Sequence, residues 1–122
     1  MTTEELETYN KLTSEQMAVY EFTKKQHPKW SHQQIMAKLS IGCVIDDKIG
    51  NGGGTVEIKP EDPVFMQEVL TGAKRILRDL GCVAGDIINL IDNALGMLAN
   101  IIDAGLNYVG DKLKQFWNWL NG

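Results

Sequence analysis

Only two cysteines, Cys43 and Cys82, occur in the 122 residues. That is too few for the disulfide framework of a small secreted domain, and each stands alone. Two histidines, His27 and His32, lie five apart with Pro28 between them. Neither they nor the cysteines have the spacing of a zinc site, so solvated turn histidines, no metal and no cofactor are expected. Basic residues are missing where apolar ones are densest: from Asp79 to Asp111 there is no Lys or Arg but there are five Asp. A helix lying on anionic lipid needs a basic polar face. A membrane span would bury Asp86, Asp92 and Asp103 at roughly 2.5–3.5 kcal/mol each. A membrane-active helix is therefore the weakest reading. The formal net charge of −4 likewise argues against a broad nucleic-acid footprint. The opening "MTTEELETYN" has neither a basic stretch nor an apolar run of the secretory type. A cytoplasmic protein is expected, with signal-less export as the other route.

Chemistry-bearing arrangements are equally scarce. No Ser or Cys has a His base in a recognisable context, so nucleophilic catalysis has no named players. The carboxylate pairs Glu4-Glu5, Asp46-Asp47 and Glu61-Asp62 fall in expected loops or lead-ins, where solvation outweighs tuning for proton transfer. "DDKIGNGGG" lacks the alternating ligands and closing Glu of a calcium loop. "GNGGGT" lacks the Lys of a phosphate loop, and a strand rather than a helix is expected after it. The expectation is a non-enzymatic chain.

What is present is helix grammar. In "LTSEQM", Thr13 is an N-cap with Gln16 as its reciprocal partner; the helix should run from about 14 to 26 and end at His27-Pro28. Ser31 and Gln34 repeat the device, making a helical hairpin of residues 1–49 behind a frayed acidic lead-in. The glycines from Gly50 to Gly54 read as a connector over 50–60. "CVIDDKI" and "TVEIK" on its two sides suggest a short β-ribbon. Asp62 and Pro63 start a third helix in the segment 61–122. Its apolar positions Phe65, Val69, Ala73, Ile76 and Leu80 recur at helical spacing. The rhythm carries through a kink or break at Gly81–Gly85 and on to about Trp119. The fold class is mainly α in a single domain, 1–122, with a long kinked amphipathic C-terminal helix.

Within that segment Asp86, Asn93, Asn100 and Asn107 form a heptad row, with Asn89, Gly96, Asp103 and Gly110 beside it. Around this narrow polar edge lies a wide apolar face, too wide for one neighbour. Its exposed part is expected to be an interface: Ile87, Ile88, Ile91, Leu95, Leu98, Ile102 and Leu106, with the aromatic end Phe116, Trp117 and Trp119 either joining it or capping the chain's own core. The expected function is a helical assembly or interaction protein, a small subunit that self-associates or docks in a larger complex. Its partner is then a second copy or another protein.

A different reading rests on "WSHQQIMAKLSIG", which resembles the first half of the helix-turn-helix of sigma-factor-like and repressor DNA-binding domains. Ser31 matches the cap, Ile35 and Ala37 the packing positions, and Leu39 and Ile41 the approach to the turn. The resemblance covers about a dozen residues and implies a DNA-binding regulator with a C-terminal oligomerisation helix. The sequence departs from it in the recognition helix, which would fall on "CVIDDKIG". Asp46 and Asp47 stand there where phosphate and base contacts need Arg, Lys or Asn.

Overall fold

The computed structural model describes residues 1–49, 61–83 and 85–121. Among the described residues there are six helices and no strand: α1 Thr3–Asn10, α2 Ser14–Gln26, α3 His32–Ile49, α4 Pro63–Asp79, α5 Asp86–Asp103 and α6 Asp111–Asn121. The mainly helical class is therefore correct.

Four helix starts are fixed by side chains close in sequence. Thr13 and Gln16 exchange hydrogen bonds of 2.9 and 3.2 Å, and Ser31 and Gln34 do so at 2.7 and 3.3 Å. Asp62 accepts from the Val64 and Phe65 amides ahead of α4, with Pro63 in its first turn. The fourth start corrects an expectation. The lead-in is not frayed: Thr2 and Glu5 form a full capping box, and α1 follows. Such caps each contribute about 1 kcal/mol by satisfying otherwise orphaned amides.

α3 is the centre of the molecule and packs against α2, α4, α5 and α6. Its buried residues Ile35, Met36, Ala37, Leu39, Ser40, Ile41, Val44 and Ile45 cover most of its circumference. That burial explains a second correction. The "CVIDDKI" stretch is the C-terminal part of α3 and not a strand, because Val44 and Ile45 continue the helical burial begun at Ile41. The other half of the expected ribbon, 55–59, lies outside the described residues.

On α4 the inward stripe is Met66, Val69, Leu70, Ala73 and Leu77, with Phe65 and Ile76 at its margins. α3 and α4 approach closely at Gly72, where an added Cβ would sit 2.9 Å from a methyl of Val44. Gly96, exposed on α5, has open space instead. Gly96→Ala is thus expected to stabilise the fold by about 0.5–1 kcal/mol through reduced chain entropy. Gly72→Ala should lose that gain and cost about 1–3 kcal/mol, because the branched Val44 must be pushed aside. Paired thermal melts check both; equal shifts for the two variants would contradict the close approach.

The C-terminal segment is three helices, not one kinked helix. α4 stops in a Schellman turn: Gly81, at φ 91°, donates to the Arg78 carbonyl at 3.0 Å, and Cys82 donates to Leu77 at 2.8 Å. α5 stops the same way at Gly105, φ 73°, whose amide reaches Ile102 at 2.9 Å while Leu106 reaches Ile101 at 3.1 Å. The second stop ends the helix expected to reach Trp119. α6 then returns against α3 and buries Leu113, Trp117 and Leu120.

Candidate interaction surface

The heptad row of polar residues is the solvent face of α5: Asp86, Asn93 and Asn100 are exposed, with Asn89, Gly96 and Asp103 beside them. The wide apolar face opposite packs on α4 and α3 of the same chain. Of the residues expected at an interface, Ile87, Ile88, Ile91, Leu98 and Trp117 are buried within this one chain. Leu95, Ile102 and Phe116 are half-buried, and only Leu106 and Trp119 are exposed. The expectation underrated the cover available, because α3 and α4 run to 18 and 17 residues.

Leu90 and Met97 of α5 also stay exposed, and a further apolar patch lies on α2. Val19 and Phe22, one turn apart on α2, are 47% and 61% exposed. They edge a groove of about 320 Å³ between α2 and α3. One wall is the α2 stripe Glu15, Val19, Phe22 and Gln26; the other is Leu39, Gly42, Cys43 and Asp46 of α3. Both stripes follow the i, i+3/i+4 spacing, so two parallel rows of side chains flank a trough. Gly42 keeps the trough open, since nothing lies within 4 Å of where its Cβ would be. Glu15 and Asp46 stand exposed at its rim, and the Lys38 ammonium leans toward the Trp30 ring, 6.0 Å from its centroid. Sequence reasoning missed this groove. The available signal was Val19 and Phe22 lying off the buried α2 stripe of Tyr20 and Thr23.

α3 also settles the geometry of the helix-turn-helix resemblance. It continues unbroken through Gly42 to Ile49, where that motif would turn and start a second helix.

A polar cluster centres on His32, which is buried and not the solvated turn residue expected. Its partners come from two other helices. The Thr8 hydroxyl donates to the Glu5 carbonyl at 2.7 Å, so toward His32 Nε2, also 2.7 Å away, it accepts. This assigns the ring proton to Nε2 and leaves Nδ1 to accept from the Tyr20 hydroxyl at 2.8 Å. Tyr9 stands edge-on to Tyr20 at 5.0 Å and donates its hydroxyl to Glu21. Burial pushes the Tyr20 phenol up to about 12, with Glu21 adding to the shift. Burial also lowers the His32 pKa; Glu5 opposes this, while Lys24 and the N-terminal ammonium assist. The neutral imidazole is a fastener between α1, α2 and α3.

A pH response follows from that fastening. The ordinary histidine value is 6.5 and the folded value lies below it. Between the two, the unfolded chain takes a proton that the folded chain refuses. The His32 contribution is therefore fully present above about pH 6.5 and is lost as pH falls through the folded value. Denaturant midpoints taken from neutral to mildly acidic pH should fall, and the fall in that window should shrink in His32→Gln. An unchanged slope in His32→Gln would remove His32 as its cause.

The cysteines are not poised nucleophiles. Burial pushes both the Cys43 and Cys82 thiols up, against the opposing hydrogen-bond contacts with Gln16 and Thr8 respectively. Among the described residues no group of three or more His, Cys, Asp or Glu is placed to hold a metal ion, and no helix is long and apolar enough to cross a membrane. No family model, curated protein or solved structure matches the chain.

Proposed function

We propose that this chain is a non-enzymatic interaction protein that seats a basic amphipathic helix of a partner protein in the trough between α2 and α3. The single observation that carries the reading is the pairing of Phe22 and Val19, exposed at the lip, with an apolar floor left open at Gly42. A helix laid into such a groove anchors apolar residues at i, i+3/i+4 and i+7 spacing. Its charge follows from the rim, where the Glu15 and Asp46 carboxylates have no cation paired to them among the described residues. Lysines flanking the apolar stripe of the partner helix would meet them.

A synthetic helical peptide with a leucine stripe and flanking lysines is the probe. Amide shift changes are expected to concentrate on residues 15–26 and 38–46. Gly42→Gln should fill the trough without disturbing the fold, since it adds a good helix former into empty space. Binding to that variant should be roughly tenfold weaker or more, as expected for losing one buried anchor. Shifts scattered over the surface, or binding unchanged in Gly42→Gln, would overturn the reading. A dimer in light scattering that dissociates with Phe22→Gln would put a second copy, not a foreign helix, in the trough.

A further inference from the structure

The chain holds only two arginines, Arg75 and Arg78, and both line one depression. They lie three residues apart on the outer side of α4 and are exposed, so their side chains rise side by side. With Thr71, Lys74, Asp79, Val83 and Leu95 they surround a hollow of about 500 Å³ between α4 and α5. The charges there are not equivalent. The Lys74 ammonium is paired with Asp92 of α5, which closes one side of the hollow and neutralises that cation. Arg75 and Arg78 have no ion pair or hydrogen bond to a described residue. Asp79 is the one carboxylate in the lining, leaving two guanidinium groups against it. The Thr71 hydroxyl lies one turn before Arg75 on the same face. Val83, among the most exposed apolar residues of the chain, and Leu95 form a greasy margin.

We infer that this hollow binds a phosphoryl group. Two guanidinium forks present paired N–H donors at the separation of oxyanion oxygens, and a dianion outcompetes a single neighbouring carboxylate for them. A hydroxyl such as that of Thr71 supplies a further donor. The apolar margin suits a phosphate carried on an aliphatic or ring-bearing body rather than the bare ion. Such a group could come from a soluble phosphate ester or from a lipid headgroup, and the chemistry of capture is the same. The hollow shares no lining residue with the α2/α3 trough, so the two sites stand or fall separately.

The test uses the whole chain with inorganic phosphate as the probe, replacing chloride at constant ionic strength. Amide signals of residues 71–83 should shift along a saturable curve. The double variant Arg75→Gln, Arg78→Gln should weaken that curve roughly tenfold or more, because charge-assisted bonds are lost. Lys24→Gln, Lys25→Gln, which removes the same two charges from consecutive exposed positions on α2, should leave it unchanged. Co-sedimentation with phosphatidylcholine vesicles doped with phosphatidic acid distinguishes the sources. Retention that the arginine variant abolishes identifies a headgroup site; saturable phosphate binding without retention identifies a soluble ester site. A linear, unsaturable response to phosphate, or one equal in the arginine and lysine variants, would overturn the inference. All four positions are exposed, so a loss of binding cannot be assigned to unfolding.

Discussion

Ile91→Asp is expected to unfold the chain outright. Ile91 is fully buried on the inner face of α5, which packs on α4 and α3. The substitution removes the apolar side chain and places a carboxylate in the hydrophobic core. Losing a buried isoleucine alone costs about 2–5 kcal/mol. Desolvating the carboxylate, or protonating it to avoid that, adds several more. A domain of this size has roughly 5–15 kcal/mol in total, so little or no folded population should remain. Asn93→Asp, two residues on, is the control. Asn93 is exposed on the polar edge, and its change should stay within about ±0.5 kcal/mol. Circular dichroism melts of the two variants check this. As one of the residues expected at an interface, Ile91 is instead buried by its own chain, which makes the loss an intramolecular one. A well-folded Ile91→Asp protein of lower mass than its parent would restore the assembly reading.

Gly85→Ala should be the most damaging change that adds a single methyl. Gly85 precedes α5 with φ 135°, a region that L side chains rarely adopt. Its own position gives α5 no side-chain cap. Gln33 of α3 supplies one from outside: its Oε1 accepts from the Ile87 amide at 3.4 Å. A Cβ on Gly85 would overlap that same Gln33 amide. Backbone strain costs about 1–3 kcal/mol, and expelling the borrowed cap about 1 more. The expected loss is near 3 kcal/mol. Adding Gln33→Ala to Gly85→Ala should cost little more, because the cap has already been expelled and the strain is unchanged. Strict additivity of the two changes would show that they do not share a cause.

These cases mark where the sequence was readable. Thr13–Gln16, Ser31–Gln34 and Asp62–Pro63 are contacts within one turn, so their spacing alone announced three helices. The Thr2–Glu5 box obeys the same rule but was passed over in an acidic stretch that composition suggested was frayed. Glycines were harder. Gly81 and Gly105 both terminate helices, whereas Gly96 sits inside one, and all three interrupt the same apolar rhythm. What separates them is whether the residues beyond can pack in a new direction, and that depends on α3 and α4. The interface residues failed for a related reason. A broad apolar face on α5 says that it must be covered, but not by which chain. His32 was least readable of all, because its two partners lie 24 and 12 residues away on different helices.

α1 buries no residue of its own. Its hold on the body includes the Thr8–His32 bond, the half-buried Tyr9 over Tyr20 with its hydroxyl on Glu21, and Leu12 just beyond its end. Little apolar area is exposed when such an element detaches, so its opening free energy must be a small fraction of that of the whole molecule. Backbone amides of residues 3–10 should therefore trade their hydrogens with solvent long before those of α3, and with weak dependence on denaturant. The N-terminal helix is in this sense a separate cooperative unit, latched to the molecule by a few polar and ring contacts and no buried side chain of its own.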